Sequence, residues 1–364
     1  MQRDEYAGPL ALRAMQSLAV RAFPVTGYRH IGDLAWSWCL ALGRADQCPT
    51  AVWSDGGRTL AWGWLELPGG LMLQVDPERP ELVHDVLDWA EAAVGTAVGT
   101  TAGAAVGAAV GAAAGATVGA AESGPLSVEV AGTEQAVIEA LELRGYVRET
   151  GGPGPGPATG QGTCPATGPG PDSATGSGTS PATGPYMTCL GRPLTGGLPL
   201  LPRLPDGYVI RAQRDYADVA GRAAAHRAAF GSERITAERH ARMRAVWPYR
   251  PEFDLVVASP GGDIVAYCQG WYDEANRTGV FEPVGTRPDH RRLGLARAVC
   301  AAVLHAFARA GGHRAVVQAR GDAAYPVPKR LYESLGFAAY ARTYTYTRTR
   351  TPGPAPVPPG QAPT

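Results

Sequence analysis

Residues 280–296 read VFEPVGTRPDHRRLGLA. The first seven predict a β-strand, Arg287–Pro288–Asp289 a turn, and Arg291-Arg292-Leu293-Gly294-Leu295-Ala296 the opening of a helix. A glycine-containing loop with paired arginines, set where a strand hands over to a helix, suits an anion. The first amides of a helix lack intrahelical acceptors, and the positive end of the helix dipole lies there. A phosphate-bearing cofactor is the expected ligand.

On both sides of this stretch the pattern is regular. Upstream, strands are predicted at 208–211, 255–259 and 263–272, the last two joined across Pro260–Gly261–Gly262, with helices at 215–230 and 236–246. Downstream, a helix at 293–310 is stopped by Gly311–Gly312, and a buried-looking strand follows at 313–319. A helix at 328–335 is closed by Gly336, and an alternating strand covers 339–348. Leu293, Ala296, Cys300, Val303 and Phe307 are helically spaced and read as core, Cys300 as a small apolar residue rather than a nucleophile.

The C-terminal half, over residues 208–348, resembles the GNAT superfamily of acyl-CoA-dependent N-acyltransferases. Arg291 to Ala296 fits that family's pyrophosphate pattern of Gln/Arg-x-x-Gly-x-Gly/Ala, and Leu331-Tyr332-Glu333-Ser334-Leu335-Gly336-Phe337 is close to its Leu-Tyr-x-x-x-Gly-Phe. The resemblance implies acetyl-CoA as co-substrate. Its pyrophosphate would be wrapped by the amides of Arg292, Leu293, Gly294, Leu295 and Ala296, with Arg291 and Arg292 adding charge. It further implies a V-shaped gap beside the 280–286 strand, filled by the pantetheine arm. Pro283, which cannot donate to a ladder, and Gly285 suit such a break. Val284 and Thr286 then become backbone partners of the arm.

Glu282 lies two residues before Val284, so period-2 alternation predicts one sheet face for both. A carboxylate there serves either as general base toward an incoming ammonium or as the anion that binds it. Tyr332 resembles the family tyrosine that protonates the leaving thiolate; the alternative is a buried helix tyrosine with a satisfied hydroxyl. Where the family often has Asn and Ala, this chain has Tyr325 and Pro328, which removes one expected polar contact to the cofactor arm. Trp247, Tyr249, Tyr272, Asp273 and Glu274 flank the place where the resembled fold receives its acceptor. They are candidates for substrate contact or for a small apolar core.

The first half echoes the same order. Helices are predicted at 10–22 and 33–42. Strands at 50–53 and 59–67 lie either side of Asp55–Gly56–Gly57, and a further strand covers 71–75. A helix at 80–93, a strand at 126–130, a helix at 133–144 and Leu143-Arg144-Gly145-Tyr146 follow. It reads as a degenerate GNAT-like domain. Where the anion loop belongs stands Asp76-Pro77-Glu78-Arg79-Pro80-Glu81, whose acids would repel pyrophosphate, so this half is expected to shape the acceptor site instead.

The expected fold class is therefore α/β (α+β): tandem GNAT-like domains, each a mixed, mostly antiparallel sheet flanked by helices. The boundaries are 1–198 for the degenerate domain and 199–350 for the catalytic one, with a Pro/Gly-rich tail at 351–364. Two low-complexity insertions fall in the first, at about 92–121 and 151–185. Between them and the linker, residues 186–190 are expected to return as a strand to the first domain. The 92–121 segment is uncharged with glycine every fourth residue from Gly95 to Gly119. Its Ala/Gly/Thr composition lacks aromatic or basic flanks, and each mid-helix glycine costs roughly 0.8–1 kcal/mol against alanine, which argues against a membrane span.

The 33 basic and 33 acidic residues balance, which gives no field favouring nucleic acid or a membrane surface. Six scattered cysteines without a C-x-x-C pair, and histidines without ligand spacing, predict reduced thiols, no metal and a cytoplasmic setting. The expected partner is a small-molecule or peptide amine, with an oligomer open. The expected function is N-acetyl transfer from acetyl-CoA by direct attack in a ternary complex. The alternative is a non-catalytic acyl-CoA-binding sensor or scaffold.

Overall fold

A computed structural model of the chain describes residues 1–6, 8–44, 47–109, 125–149, 186–321 and 325–348. The first half holds β1 (Gln2–Tyr6), α1 (Pro9–Thr26), α2 (Ile31–Ala41), β2 (Thr50–Asp55), β3 (Arg58–Glu66) and β4 (Gly70–Val75). It continues with α3 (Leu82–Ala109), β5 (Leu126–Ala131), α4 (Gln135–Leu143) and β6 (Val147–Arg148). The second half holds β7 (Met187–Pro193), β8 (Val209–Ala212), α5 (Tyr216–Phe230), α6 (Ala237–Met243), β9 (Asp254–Ala258) and β10 (Ile264–Asp273). Then come β11 (Thr278–Thr286), α7 (Leu295–Arg309), β12 (Arg314–Arg320), α8 (Val327–Ser334) and β13 (Ala338–Arg348).

The strands join into one continuous sheet in the order β1-β2-β3-β4-β5-β13-β7-β12-β11-β10-β9-β8, with β6 beside β13. Pairing is antiparallel except between β4 and β5 and between β11 and β12, one parallel pair per half among the described residues. Each half is layered, with helices on both faces. In the first, α3 and α4 cover a core containing Val86, Trp89, Val128 and Leu141. Helices α1 and α2 cover the opposite face over Trp62, Trp64 and Met72. In the second, α7 and α8 close over Phe281, Val303, Phe307 and Tyr332, while α5 and α6 lie on the other side.

The mixed, mostly antiparallel architecture agrees with the expected fold class, but the halves are less separate than the boundary near 198 suggests. The strand at 187–193, expected to return to the first domain, lies in the second sheet, antiparallel to β12 along its whole length. Its other edge takes β13, whose first part, Ala338 to Arg342, pairs with β7. The rest, Thr343 to Arg348, pairs with β5 of the first half. One long strand is thus shared by both sheets. The apolar run from Thr188 to Leu190 demands burial but does not state which sheet supplies it.

Two further elements differ from expectation. Helix α3 does not stop near Ala93 but runs to Ala109, into the glycine-repeat segment. Residues 110–124, the tract at 150–185 and the tail from 349 lie outside the described residues. Among the described residues no helix is long and apolar enough to cross a membrane. The N-terminus adds a strand, β1, whose residues carry no alternating apolar signal; it pairs antiparallel with β2 at the sheet edge.

Helix α2 ties the halves together. Its N-terminus is fixed by a capping box: the His30 ring accepts from the Gly32 amide at 3.1 Å, and Asp33 accepts from the His30 amide at 2.9 Å. From there Ala35, Trp36, Cys39 and Leu40 pack with Ala223, Met243, Trp271, Val280 and Val316 of the second half. Gly32 lies directly on Trp271: a Cβ at this position would sit 2.3 Å from the Trp271 Cβ. Gly32→Val is expected to lower stability by roughly 1–3 kcal/mol through overpacking, read as a lower thermal midpoint. A midpoint equal to the parent's would show that α2 is free to shift.

Candidate active site

The site is built on β11. Its ladder with β12 covers Thr278↔Arg314, Gly279↔Ala315 and Val280↔Val316 and then ends, three residues before Pro283. Beyond Val280 the strands part, β12 continuing against β7 and β11 against β10. From Phe281 to Thr286 the edge of β11 that faced β12 is therefore open. A gap beside this strand is what the resemblance implies, and a chain with amide groups of its own can pair there.

The opposite edge of β11 carries a bulge. Cys268 pairs with Val284 and Gly270 with Phe281, so Glu282 and Pro283 together oppose Gln269. Simple alternation is broken: Phe281 and Val284 both pack toward α7, although three positions separate them. Glu282 instead shares the face of Gln269, whose side chain contacts Met243 and Arg222 under α5 and α6. The expectation that Glu282 and Val284 share a face fails for this reason. Gly285 is obligatory on packing grounds, since a Cβ there would sit 2.4 Å from the Tyr267 hydroxyl.

After β11 the chain makes one turn of 3-10 helix at Pro288–His290 and enters the arginine loop. Arg291 donates to Ala229 O at 3.1 Å and anchors the loop to the end of α5. Arg292 and Gly294 both adopt left-handed backbone, at φ 65° and 75°. A non-glycine residue held there stores strain, and such strain gathers at ligand sites. Left-handed residues alternating with others turn successive amides toward one concave side. Helix α7 starts with no side-chain cap and no acid in its first turn, so its amides and dipole are available to an anion. Arg291, Arg292, Leu293 and Gly294 are exposed, Ala296 half-buried, and Leu295 buried as the anchor of the helix.

Glu282 is half-buried at the start of the split. Its carbonyl accepts from Trp271 Nε1 at 2.7 Å. Burial, and then the Asp33 carboxylate, pushes the Glu282 carboxyl well above the usual carboxylate range. Tyr332 comes from α8, across the split, its ring 6.4 Å from Phe281 and 5.9 Å from Phe337. Burial first, then Cys300, Cys268 and Glu282, raise its hydroxyl well above 10, so it keeps its proton. Tyr332 thus lies on the α7 face of the sheet with Phe281, and Glu282 on the opposite face with Gln269.

The other acceptor-side candidates are engaged elsewhere. Tyr249 places its hydroxyl between Arg244 Nε (3.0 Å) and Asp254 Oδ2 (3.1 Å), and its ring against Trp271. The Trp247 carbonyl accepts from Gln16 of α1 at 3.0 Å, and Arg13 stacks on its ring. Tyr272 donates to Ala310 O, Asp273 caps the turn after β10, and Glu274 pairs with Arg250 at 2.9 Å. His226 contacts the Tyr267 hydroxyl at 2.8 Å, and burial lowers its pKa to about 2, which keeps it neutral. Among the described residues no group of three or more His, Cys, Asp or Glu is placed to hold a metal.

Residues of α2 near β11 escaped the sequence reading. His30 Nδ1 accepts from Gly32, so its Nε2–H donates to Thr278 O at 3.1 Å. Burial lowers the His30 pKa to about 4 and fixes that neutral form. Burial pushes the Asp33 carboxyl up to about 6. An acid three residues after a cap is a visible sign of a helix start, but nothing local says which sheet the helix meets.

The first half keeps a split but not the loop. β4 and β5 pair only at Gly70↔Ser127 and Leu71↔Val128. At the end of β4 stands Asp76, buried, bridged to Arg58 at 2.9 Å and Arg21 at 3.5 Å. Although burial opposes its charge, the Glu78 amide and Arg58 hold its carboxyl below the usual range.

A sheet split beside a parallel pair, a loop with left-handed backbone at the end of the split strand and an uncapped helix N-terminus behind it together form the candidate site. Residues 223–337, within the C-terminal half, match the model of the acetyltransferase (GNAT) family. Among solved structures, the chain is similar over 95% of both lengths to a GCN5-related N-acetyltransferase from Sphaerobacter thermophilus, at 18% identity and TM-score 0.53. A tandem GNAT protein from the clavulanic acid biosynthesis pathway aligns over 97% of this chain and 100% of its own, at 14% and 0.51. A GNAT-family acetyltransferase from Colwellia psychrerythraea aligns over 95% and 99%, at 10% and 0.53. Likeness at these identities concerns the fold, and it extends over both halves. No curated protein matches.

Proposed function

We propose that the chain is an N-acetyltransferase that moves an acetyl group from acetyl-CoA to a primary amine by direct attack in a ternary complex. The observation that carries this reading is the open edge of β11 between Phe281 and Thr286, with a half-buried carboxylate at one end and an uncapped helix N-terminus at the other. When bound, acetyl-CoA supplies the thioester carbonyl. Val284 and Thr286 offer backbone groups to the pantetheine arm, and the amides from Arg292 to Ala296 offer donors to the pyrophosphate.

Glu282 takes a proton from the incoming ammonium. The freed nitrogen attacks the carbonyl carbon, the C–N bond forms, and the C–S bond breaks. Tyr332 gives its proton to the departing sulfur, and the second proton lost from nitrogen restores Tyr332. The raised pKa of Glu282 makes it a stronger base than an ordinary carboxylate, and the raised pKa of Tyr332 suits an acid that stays protonated until the thiolate forms.

Free-thiol release from acetyl-CoA across a panel of amines tests the reading, with amine-dependent release expected. Calorimetry is expected to give one CoA per chain, because Asp76 and its arginines fill the corresponding place in the first half. Two equal sites would restore cofactor binding to the first half, and no CoA binding at all would sink the transfer reading.

A further inference from the structure

We propose that the acceptor's ammonium is held between two carboxylates, one from each half: Glu282 of β11 and Asp33 of α2. Asp33 is a positioning residue that stays with the cation while Glu282 takes its proton. This deepens the transfer reading above and rests on it.

The turn that carries Asp33 is fixed over β11 by consecutive contacts. His30 donates to Thr278 O at 3.1 Å, the Gly32 backbone lies on Trp271, and Trp271 donates to Glu282 O at 2.7 Å. Gly32, Trp271 and Val280 are buried, whereas Asp33 and Glu282 are half-buried. The capping bond to the His30 amide uses Asp33 Oδ2 and leaves lone pairs on the carboxylate to accept from a ligand. Arg29 lies near Asp33 but donates to Glu129 O at 3.0 Å. Among the described residues neither carboxylate has an ion-pair partner.

The electrostatics agree with the geometry. Burial raises both carboxyls, and the Asp33 charge raises Glu282 further. Two carboxylates kept partly from water and close enough to repel one another are relieved by a cation between them. An ammonium brings three N–H donors on one point charge, which suits two carboxylates. The same pair disfavours an amine with a carboxylate beside it. The acceptor class is therefore an alkyl-type primary amine rather than the α-amino group of a free amino acid.

At the third helical position both Glu and Gln complete a capping box, so two variants separate charge from folding. Asp33→Gln keeps the cap and removes the charge; Asp33→Glu keeps both. Asp33→Gln is expected to raise KM for the best alkylamine about tenfold or more, the scale of a charge-assisted hydrogen bond, with CoA affinity unchanged. Asp33→Glu is expected to stay near the parent KM, and the parent to prefer alkylamines over α-amino acids. An unchanged KM in Asp33→Gln, or equal rises in both variants, would reduce Asp33 to a cap and overturn the proposal. A parent that transfers to no amine would instead remove the transfer reading, and this proposal with it.

Discussion

Glu282→Gln is expected to lower turnover about 100- to 10,000-fold, the usual contribution of a positioned base, while CoA affinity stays at the parent value. The split, the arginine loop and the start of α7 do not involve the Glu282 side chain, and its backbone bond to Trp271 survives the change. The pH profile is the second readout. Because burial and Asp33 raise the Glu282 carboxyl, its base form appears only as pH rises through a value above the ordinary carboxylate range. In the parent, kcat/KM should therefore climb with pH on a limb set by that group, and the limb should vanish in Glu282→Gln. An acceptor amine's own ionisation is common to both proteins and cancels in the comparison. Retained turnover in Glu282→Gln would leave the carboxylate as an ammonium-binding anion and remove it as the base.

The parts of the site that were legible in the sequence are the parts set by local chemistry. Pro283 announced the end of a ladder, and the pairing with β12 does end at Val280. Gly294 and the paired arginines announced a loop open to an anion, and the backbone at Arg292 and Gly294 is left-handed as such a loop requires. Leu331–Phe337 announced a helix closed by glycine, and Tyr332 lies within it. Each of these signals is carried by a few consecutive residues whose φ, donors or period have few alternatives.

What was not legible depends on partners distant in sequence. The strand at 187–193 was recognised as a strand but given to the wrong sheet, since its pairing with β12 and β13 is fixed by register over more than a hundred residues. The bulge at Glu282–Pro283 inverted the facing of Glu282 relative to Val284. Its cause is the single residue Gln269 on the neighbouring strand, which no reading of 280–286 alone contains. Helix α2 shows an apolar stripe with Trp36 and Leu40, but a stripe states that a face is buried and not against what. That the stripe docks on Trp271 and Val280 is what brings Asp33 to the site. The end of α3 was not legible either: the helix was expected to end at Ala93, where the low-complexity segment begins, whereas it continues to Ala109.

Gly294→Glu is expected to abolish CoA binding while leaving the fold in place. The residue sits at φ 75° as the cap of α7, and a Cβ built there meets nothing within 4 Å. No packing is disturbed, so the cost to the protein is the left-handed backbone alone, about 1–3 kcal/mol. The cost to the ligand is different in kind. An added carboxylate at the mouth of the loop stands among the amides meant for pyrophosphate, and like charges so placed cost several kcal/mol. At about 1.4 kcal/mol per tenfold, this predicts at least a 100-fold loss of affinity. Gly294→Ala separates the two effects: it carries the backbone cost without the charge, so it should bind CoA more weakly than the parent and far better than Gly294→Glu. Calorimetry with CoA on the three proteins, alongside their thermal midpoints, reads both quantities. If Gly294→Glu binds CoA as the parent does, the amides from Arg292 to Ala296 are not the pyrophosphate site. The open edge of β11 would then have to be assigned to some other extended ligand.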